Sequence, residues 1–142
     1  MIELDHTFST GQAVTHNWEA ILDLDRVITC VEGGQVLERT SPDSARAEIH
    51  VKMGAMGLRF TGTVTVVERD EDTHRAVLQV RSEDAGGQGS ANADVTFELS
   101  GGGGTIHTAA EITGKAVSMG EGVAQTVLDA LIKDFTDKLA TI

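Results

Sequence analysis

Residues 91–112, with the sequence ANADVTFELSGGGGTIHTAAEI, carry the clearest structural pattern in the chain. On both sides of the glycines at 101–104, every second residue is small or apolar, and the residues between them are mostly polar. A period of two is typical of a strand buried on one face, and a glycine-rich interruption between two such strands predicts a hairpin. Because these glycines precede a strand and not a helix, they do not indicate a phosphate-binding loop. The stretch therefore predicts two antiparallel strands that bury the same face.

The same alternation continues towards the N-terminus. It recurs four times between residues 35 and 81, and once more over residues 2–8. Short segments rich in Gly, Pro, Asp and Glu separate the runs, as turns between neighbouring strands require. The pattern predicts a curved antiparallel sheet of seven strands with one apolar face.

Helical spacing replaces the alternation in three places. Thr10 is the predicted N-cap of a first short helix, and a second short helix is predicted at residues 24–29. Ser118 and Glu121 form a predicted capping box for a C-terminal helix of about six turns, roughly 35 Å long. The apolar stripe of this helix is predicted to consist of Val123, Val127, Leu131, Phe135 and Leu139, flanked by Ala124, Leu128 and Ile132. We predict a single α+β domain over residues 1–142, in which the long helix covers the sheet.

The amino-acid composition excludes several classes of function. With a formal net charge of −11, the chain should repel nucleic-acid phosphates and anionic lipid headgroups. Cys30 is the only cysteine, which excludes an intramolecular disulfide and a cysteine-rich zinc site. No apolar stretch is long enough to span a bilayer, and residues 1–8 do not resemble a signal peptide. We therefore expect a cytoplasmic protein that does not bind nucleic acid.

The inward face of the predicted sheet contains unusually many small residues. Gly62, Ala91, Ala93 and Ala110 lie on it, and the whole chain has only five aromatic residues. Because protein interiors pack to a density of about 0.75, small residues on a curved sheet either leave a cavity or draw the helix closer. We expect an apolar cavity, the usual form of a small-molecule site. Closer packing of the helix is the alternative.

The predicted ligand-binding residues come from the inward strand positions, the second short helix and the long helix. They are His6, Val27, Ile28, Met53, Met56, Phe60, Leu78, Ala91, Ala93, Val95, Phe97, Thr108, Ala110, Met119, Val123, Val127 and Leu131. His6 shares the apolar face of the first strand, and it is either a buried core histidine or a polar contact to the ligand. Met53, Met56 and Met119 are expected at one end, where Met56 and Met119 line a flexible mouth.

No group of residues has the spacing of a catalytic or metal site. The five histidines lack a metal-binding spacing, and strand parity places His50, His74 and His107 on the solvent face. Cys30 has no base nearby in the sequence, and the carboxylates of the strands point outward by the same parity. We therefore predict no catalytic residue, no metal and no resident cofactor.

Several short motifs occur in a fixed order along the chain. They are Trp18-x-x-Ile21-Leu22-Asp23, Val27-x-x-Cys30, Lys52-Met53-Gly54-x-Met56, Phe60-x-Gly62-x-Val64, Gly87-x-Gly89-Ser90-Ala91, Gly104-Thr105 and Gly114-Lys115-x-x-x-x-Gly120. Together they resemble the carbon monoxide dehydrogenase G-subunit family, within the START-like helix-grip (SRPBCC) superfamily. One departure is Glu32-Gly33, where the family usually has Pro-Gly after the cysteine.

This resemblance implies a helix-grip fold and an accessory role beside a molybdenum-containing carbon monoxide dehydrogenase. It also implies a link from that enzyme to the membrane, with a lipophilic quinone such as menaquinone held in the cavity. Many members continue into an apolar C-terminal segment, so peripheral association with the inner membrane face is expected where the native chain carries such an anchor. A recruitment subunit with an unused cavity and a cyclase-like enzyme are the alternatives, because a fold alone does not define function.

Overall fold

One antiparallel sheet makes up most of the fold. The computed structural model describes residues 1–53, 56–87, 89–114 and 120–141. In chain order the elements are β1 (Ile2–Ser9), α1 (Val14–Leu22), α2 (Leu24–Thr29), β2 (Gly34–Ser41), β3 (Ser44–Met53), β4 (Met56–Asp70), β5 (Arg75–Asp84), β6 (Gly89–Ser100), β7 (Gly103–Gly114) and α3 (Glu121–Leu139). The strand order is β1-β7-β6-β5-β4-β3-β2, so α1 and α2 connect the two edge strands.

The strand register accounts for the inward and outward faces. Thr108 of β7 lies opposite Leu4 of β1 and Val95 of β6, and Ala93 lies opposite Ala110. Since side chains alternate along each strand, these positions all face α3. The predicted α+β helix-grip fold, with a curved seven-stranded sheet and a long C-terminal helix, is confirmed. The second short helix has the predicted bounds.

The ends of two helices differ from the predictions. Helix α1 begins at Val14 with Ala13 at its N-cap, so the prediction that Thr10 caps it is wrong. The Thr10 hydroxyl instead donates to Asn17 Oδ1 over 2.7 Å and orders the turn before the helix. Helix α3 has 19 residues, which is about 28 Å at the standard rise and shorter than predicted. Gly120 is its N-cap, and Ser118 of the predicted capping box lies outside the described residues.

The core is divided into two clusters along α3. The first lies under α1, α2 and the C-terminal half of α3, and includes Trp18, Phe97 and Phe135. The second lies under the N-terminal half of α3 and includes Phe60 and Ala124. The sheet continues beneath both clusters, and the space between them is the candidate site.

Gly62 permits a close approach between β4 and β5. A Cβ atom at this position would lie 1.9 Å from the carbonyl oxygen of Arg81, far inside van der Waals contact. The backbone of β5 therefore occupies the space that any side chain at Gly62 would need. This contact explains why a glycine interrupts the apolar alternation of β4.

Candidate functional site

A cavity of about 270 Å³ lies between α3 and the concave face of the sheet. Its walls come from α2, from strands β2 to β7 and from α3, and they are almost entirely apolar. The volume is close to the lower end of the range for small-molecule pockets. Small residues on the sheet, such as Ala91, Ala93 and Ala110, leave this space open, as the sequence pattern predicted.

Twelve of the seventeen predicted binding residues line the cavity. They are Val27, Ile28, Phe60, Leu78, Ala91, Ala93, Val95, Phe97, Thr108, Ala110, Val127 and Leu131. Of the rest, Met119 lies outside the described residues, as do the side chains of Met53 and Met56. The backbones of Met53 and Met56 face each other where β3 meets β4. A mouth formed by Met56 and Met119 stays a prediction.

Val123 and His6 are placed differently from the lining. The side chain of Val123 is among the exposed large apolar groups, and Ala124 faces the cavity in its place. The cause is the helical repeat: a step of four residues overshoots one turn by about 40°, so a stripe spaced strictly by four drifts around the helix. His6 lies between β1 and α3, and it is not among the described lining residues.

The helix residues that the sequence pattern treated as flanking belong to the lining. Ala124, Leu128 and Ile132 all line the cavity, as does Phe135 of the predicted stripe. Their positions, together with Val127 and Leu131, combine steps of three and four residues, which follow one face of a helix better than repeated steps of four. Reading the stripe at 3.6 residues per turn would have placed them correctly.

Apart from Asp134 Oδ2, which lies 3.0 Å from Lys138 Nζ, two buried polar side-chain atoms lack a hydrogen-bond partner among the described residues. One is Thr108 Oγ1, on a residue that is only 2% exposed and lines the cavity. The other is His6 Nδ1, which lies outside the lining. Ser82 also lines the cavity, but its hydroxyl already donates to the carbonyl of Ala91 over 2.5 Å. Thr108 is therefore a polar group of the cavity that is free to bond to a ligand.

His6 and Asp129 join the first strand to the last helix. His6 Nε2 donates to Asp129 Oδ1 over 2.7 Å, and Lys133 Nζ lies 3.2 Å from Asp129 Oδ2. The hydrogen bond from His6, followed by that from Lys133, lowers the pKa of the Asp129 carboxyl below its ordinary value. The imidazole is mostly buried, with 9% of its side chain exposed. The pair thus fixes α3 across the edge of the sheet.

Three further histidines and Cys30 have structural roles outside the cavity. His50 and His107 are well exposed and hydrogen-bond to Glu48 and Asp5 respectively. His74 departs from its predicted solvent position, because it lies in the β4–β5 turn with its ring edge-on to Trp18, 5.5 Å between centroids. Burial raises the pKa of the Cys30 thiol, which keeps it protonated and unreactive near neutral pH.

The lining offers little for catalysis or metal binding. Within the part of the chain that the structure describes, no three His, Cys, Asp or Glu side chains converge to hold a metal ion. Glu48 is the one ionisable residue among the described lining residues, and its carboxylate accepts a hydrogen bond from the exposed His50 over 2.8 Å. No acid–base pair faces the cavity from the described residues. The arrangement suits binding of an apolar molecule with one polar contact.

The chain has the START-like helix-grip fold, and several solved structures share it. A conserved protein from Geobacillus kaustophilus superposes with a TM-score of 0.76 at 21% identity, over 97% of this chain and 90% of that one. A START superfamily protein from Mycobacterium smegmatis gives 0.62 at 8% identity, covering 97% and 94%. The Zhui aromatase/cyclase from Streptomyces sp. R1128 gives 0.56 at 13% identity, covering 97% and 89%.

Among proteins with this fold, the chain belongs to one family. A sequence model of CoxG, the family of carbon monoxide dehydrogenase G subunits, matches residues 7–142, nearly the whole chain. No curated protein sequence gives a significant match. The resemblance found in the ordered motifs is thereby confirmed. Among the described residues, no helix is both long and apolar enough to cross a membrane.

Proposed function

We propose that this protein is a non-enzymatic carrier that holds a long apolar ligand, a respiratory quinone of the menaquinone type, between α3 and the sheet. In this role it serves as an accessory subunit of a molybdenum carbon monoxide dehydrogenase and links that enzyme to the membrane. The observation that carries the proposal is the cavity of about 270 Å³ with an almost wholly apolar lining. The family of the chain supplies the partner enzyme.

The chemistry of the lining favours an apolar ligand. Burying apolar surface is favourable by about 25 cal/mol per Å², so an apolar molecule gains from leaving water for such a cavity. Charged headgroups gain nothing there, since the described lining contains no Lys, Arg or His. A quinone with an isoprenoid chain is mostly apolar and has only two carbonyl oxygens to accommodate. Its headgroup matches a lining that offers the unpartnered hydroxyl of Thr108.

The cavity lining suits the transport of a ligand better than it suits catalysis. The aromatase/cyclase among the similar structures shares the fold, but a shared fold does not transfer an activity. General acid–base catalysis requires a titratable group within hydrogen-bonding reach of the reacting atom. Glu48, the one ionisable residue of the described lining, is paired with His50. A quinone needs no such group for binding and release.

An organic extract of the purified protein tests the proposal. The protein is produced in a host that makes menaquinone, and the extract is analysed by mass spectrometry. We expect menaquinone in the wild-type extract and at least a tenfold loss in Ala93→Trp, because an indole at this position fills the cavity. Ala109→Trp is the matched control, since Ala109 alternates with Thr108 and Ala110 and points to the outer face. Overpacking costs about 1–3 kcal/mol, so the melting temperature of each variant is measured as well.

Three results would contradict the proposal. Equal quinone content in wild type and a folded Ala93→Trp variant would show that the quinone binds elsewhere. An extract without quinone, together with equal dehydrogenase binding by both proteins, would instead support a recruitment subunit with an unused cavity. Chemical conversion of an added quinone by the purified protein alone would support an enzyme.

A further inference from the structure

A buried hydroxyl without a partner stands out in the cavity. Thr108 lies in the middle of β7, whose backbone bonds to β1 and β6 on either side. Thr108 is only 2% exposed, and its Oγ1 has no hydrogen-bond partner among the described residues. Burying a polar group without a partner destabilises a fold, so its presence here requires an explanation.

The four side chains next to Thr108 on the sheet offer no partner for this hydroxyl. Leu4 and Val95 lie directly opposite it on the adjacent strands, and Ile106 and Ala110 precede and follow it on the same face of β7. All four side chains are apolar. Since Thr108 also lines the cavity, its unpartnered hydroxyl is available to a ligand held there.

The position of Thr108 is also central in the cavity. Ile106, two residues before it, belongs to the core cluster under the C-terminal half of α3. Ala110, two residues after it, belongs to the cluster under the N-terminal half. Thr108 thus lies at the junction of the two clusters, where the small side chains leave the space open.

From these observations we infer that Thr108 anchors the ligand by donating its hydroxyl hydrogen to a carbonyl oxygen. This inference rests on the proposed function and adds the class of ligand. The ligand is an apolar molecule whose ring lies at the centre of the cavity and carries a neutral acceptor oxygen. A fatty acid is disfavoured, because its carboxylate would need a cation that the described lining does not provide. A hydrocarbon without oxygen would leave Thr108 unsatisfied.

Measuring the affinity of the protein for two matched probes tests the proposed hydrogen bond from Thr108. The first probe is a menaquinone with two isoprene units, and the second is the same molecule with a naphthalene ring, which lacks both oxygens. Replacing Thr108 by valine keeps the shape of the side chain and removes the hydroxyl. We expect Thr108→Val to bind the menaquinone about two- to tenfold more weakly, the effect of one neutral hydrogen bond. Its affinity for the naphthalene probe should be equal or higher.

Two further variants control for packing and for the strand. Thr108→Ser keeps the hydroxyl and should retain the preference for the quinone. Thr105→Val changes an exposed threonine of the same strand and should bind both probes like wild type. The infrared band of a ¹³C-labelled quinone carbonyl reports the bond directly. It should lie at lower frequency in wild type than in Thr108→Val.

Stability gives a readout that needs no ligand. Because the hydroxyl is unsatisfied in the empty protein, Thr108→Val should leave the melting temperature of delipidated protein unchanged or raise it by up to about 2–4 °C. A lower melting temperature would show that the hydroxyl has a structural role and would overturn the inference. Equal losses of affinity for both probes, or none for either, would also overturn it. If wild type binds neither probe, the proposed function itself fails.

Discussion

At the scale of single residues, His6 and Asp129 connect parts of the chain that are 123 positions apart. The bond from His6 Nε2 lowers the pKa of the Asp129 carboxyl below its ordinary value of 3.8. A carboxyl with a depressed pKa in the folded protein stabilises it above the unfolded pKa, and this contribution is lost as the pH falls through the folded pKa. The pair should therefore stabilise the fold at neutral pH and cease to do so in acid.

Replacing Asp129 by asparagine tests this dependence. We expect Asp129→Asn to have a lower melting temperature than wild type at pH 7. The difference should shrink below about pH 4, because the wild-type carboxyl then becomes protonated too. Melting curves from neutral pH into acid measure it, with Asp137→Asn, on the same helix, as a control for the loss of a negative charge. A gap between wild type and Asp129→Asn that stays constant over this range would contradict the prediction.

The residue scale also marks where inference from sequence stops. Alternation alone placed Thr108, Ala93 and Ala110 on the inward face, because side chains of a strand point to opposite sides in turn. The same pattern could not pair His6 with Asp129, since that contact depends on how α3 is rotated and positioned over β1. It also could not show that Thr108 lacks a partner, because hydrogen bonding depends on the three-dimensional neighbours of an atom. For His6, a contact with the ligand stays a prediction.

At the scale of elements, the start of α3 is weakly held. Its N-cap, Gly120, has a φ of +101°, and no side chain of the described residues caps the helix there. Gly122 follows in the first turn, and glycine in a helix costs up to about 1 kcal/mol relative to alanine. The C-terminal half of the same helix is anchored by Phe135 and Leu139, which are buried in the core. We therefore expect the first turn to open more readily than the rest of α3.

Gly122→Ala tests whether this turn controls ligand exchange. A Cβ atom at Gly122 would meet nothing within 4 Å, so alanine fits without strain and should stabilise the protein by about 0.4–1 kcal/mol. We expect slower transfer of a bound menaquinone into vesicles, followed by stopped flow, with little change in affinity. Gly101→Ala, in the open β6–β7 turn, is the matched control. Equal transfer rates for wild type and Gly122→Ala would show that the ligand leaves by another route.

The elements also show why some boundaries were predicted and others were not. The bounds of α2 follow from local residues, with Asp23 at its N-cap accepting a hydrogen bond from the Arg26 backbone. Thr10 has a typical capping side chain, yet the buried Asn17 takes its hydroxyl as a partner. Asn17 itself bonds to the carbonyl of Ser100, at the end of β6. That long-range contact outweighed the local capping preference.

At the scale of the whole molecule, the net charge of −11 governs encounters at long range. A quinone carrier has to approach a bilayer to deliver its ligand, and bacterial membranes expose anionic lipids. Like charges repel over the Debye length, which is about 30 Å at 0.01 M salt and about 3 Å at 1 M. Direct adsorption to an anionic surface is thus unfavourable at low salt. A partner or an anchor that holds the protein near the membrane would offset this repulsion.

Transfer of menaquinone to vesicles of different charge makes this testable. We expect slower transfer to vesicles that contain anionic lipid than to purely zwitterionic ones at about 0.01 M salt, and equal rates near 1 M, where the repulsion is screened. The zwitterionic vesicles are the control for effects of salt on release from the cavity itself. Faster transfer to the anionic vesicles at low salt would contradict the prediction, because a local basic surface would then outweigh the net charge. In that case the chain would dock on the membrane without help, and the dehydrogenase would not be needed to bring it there.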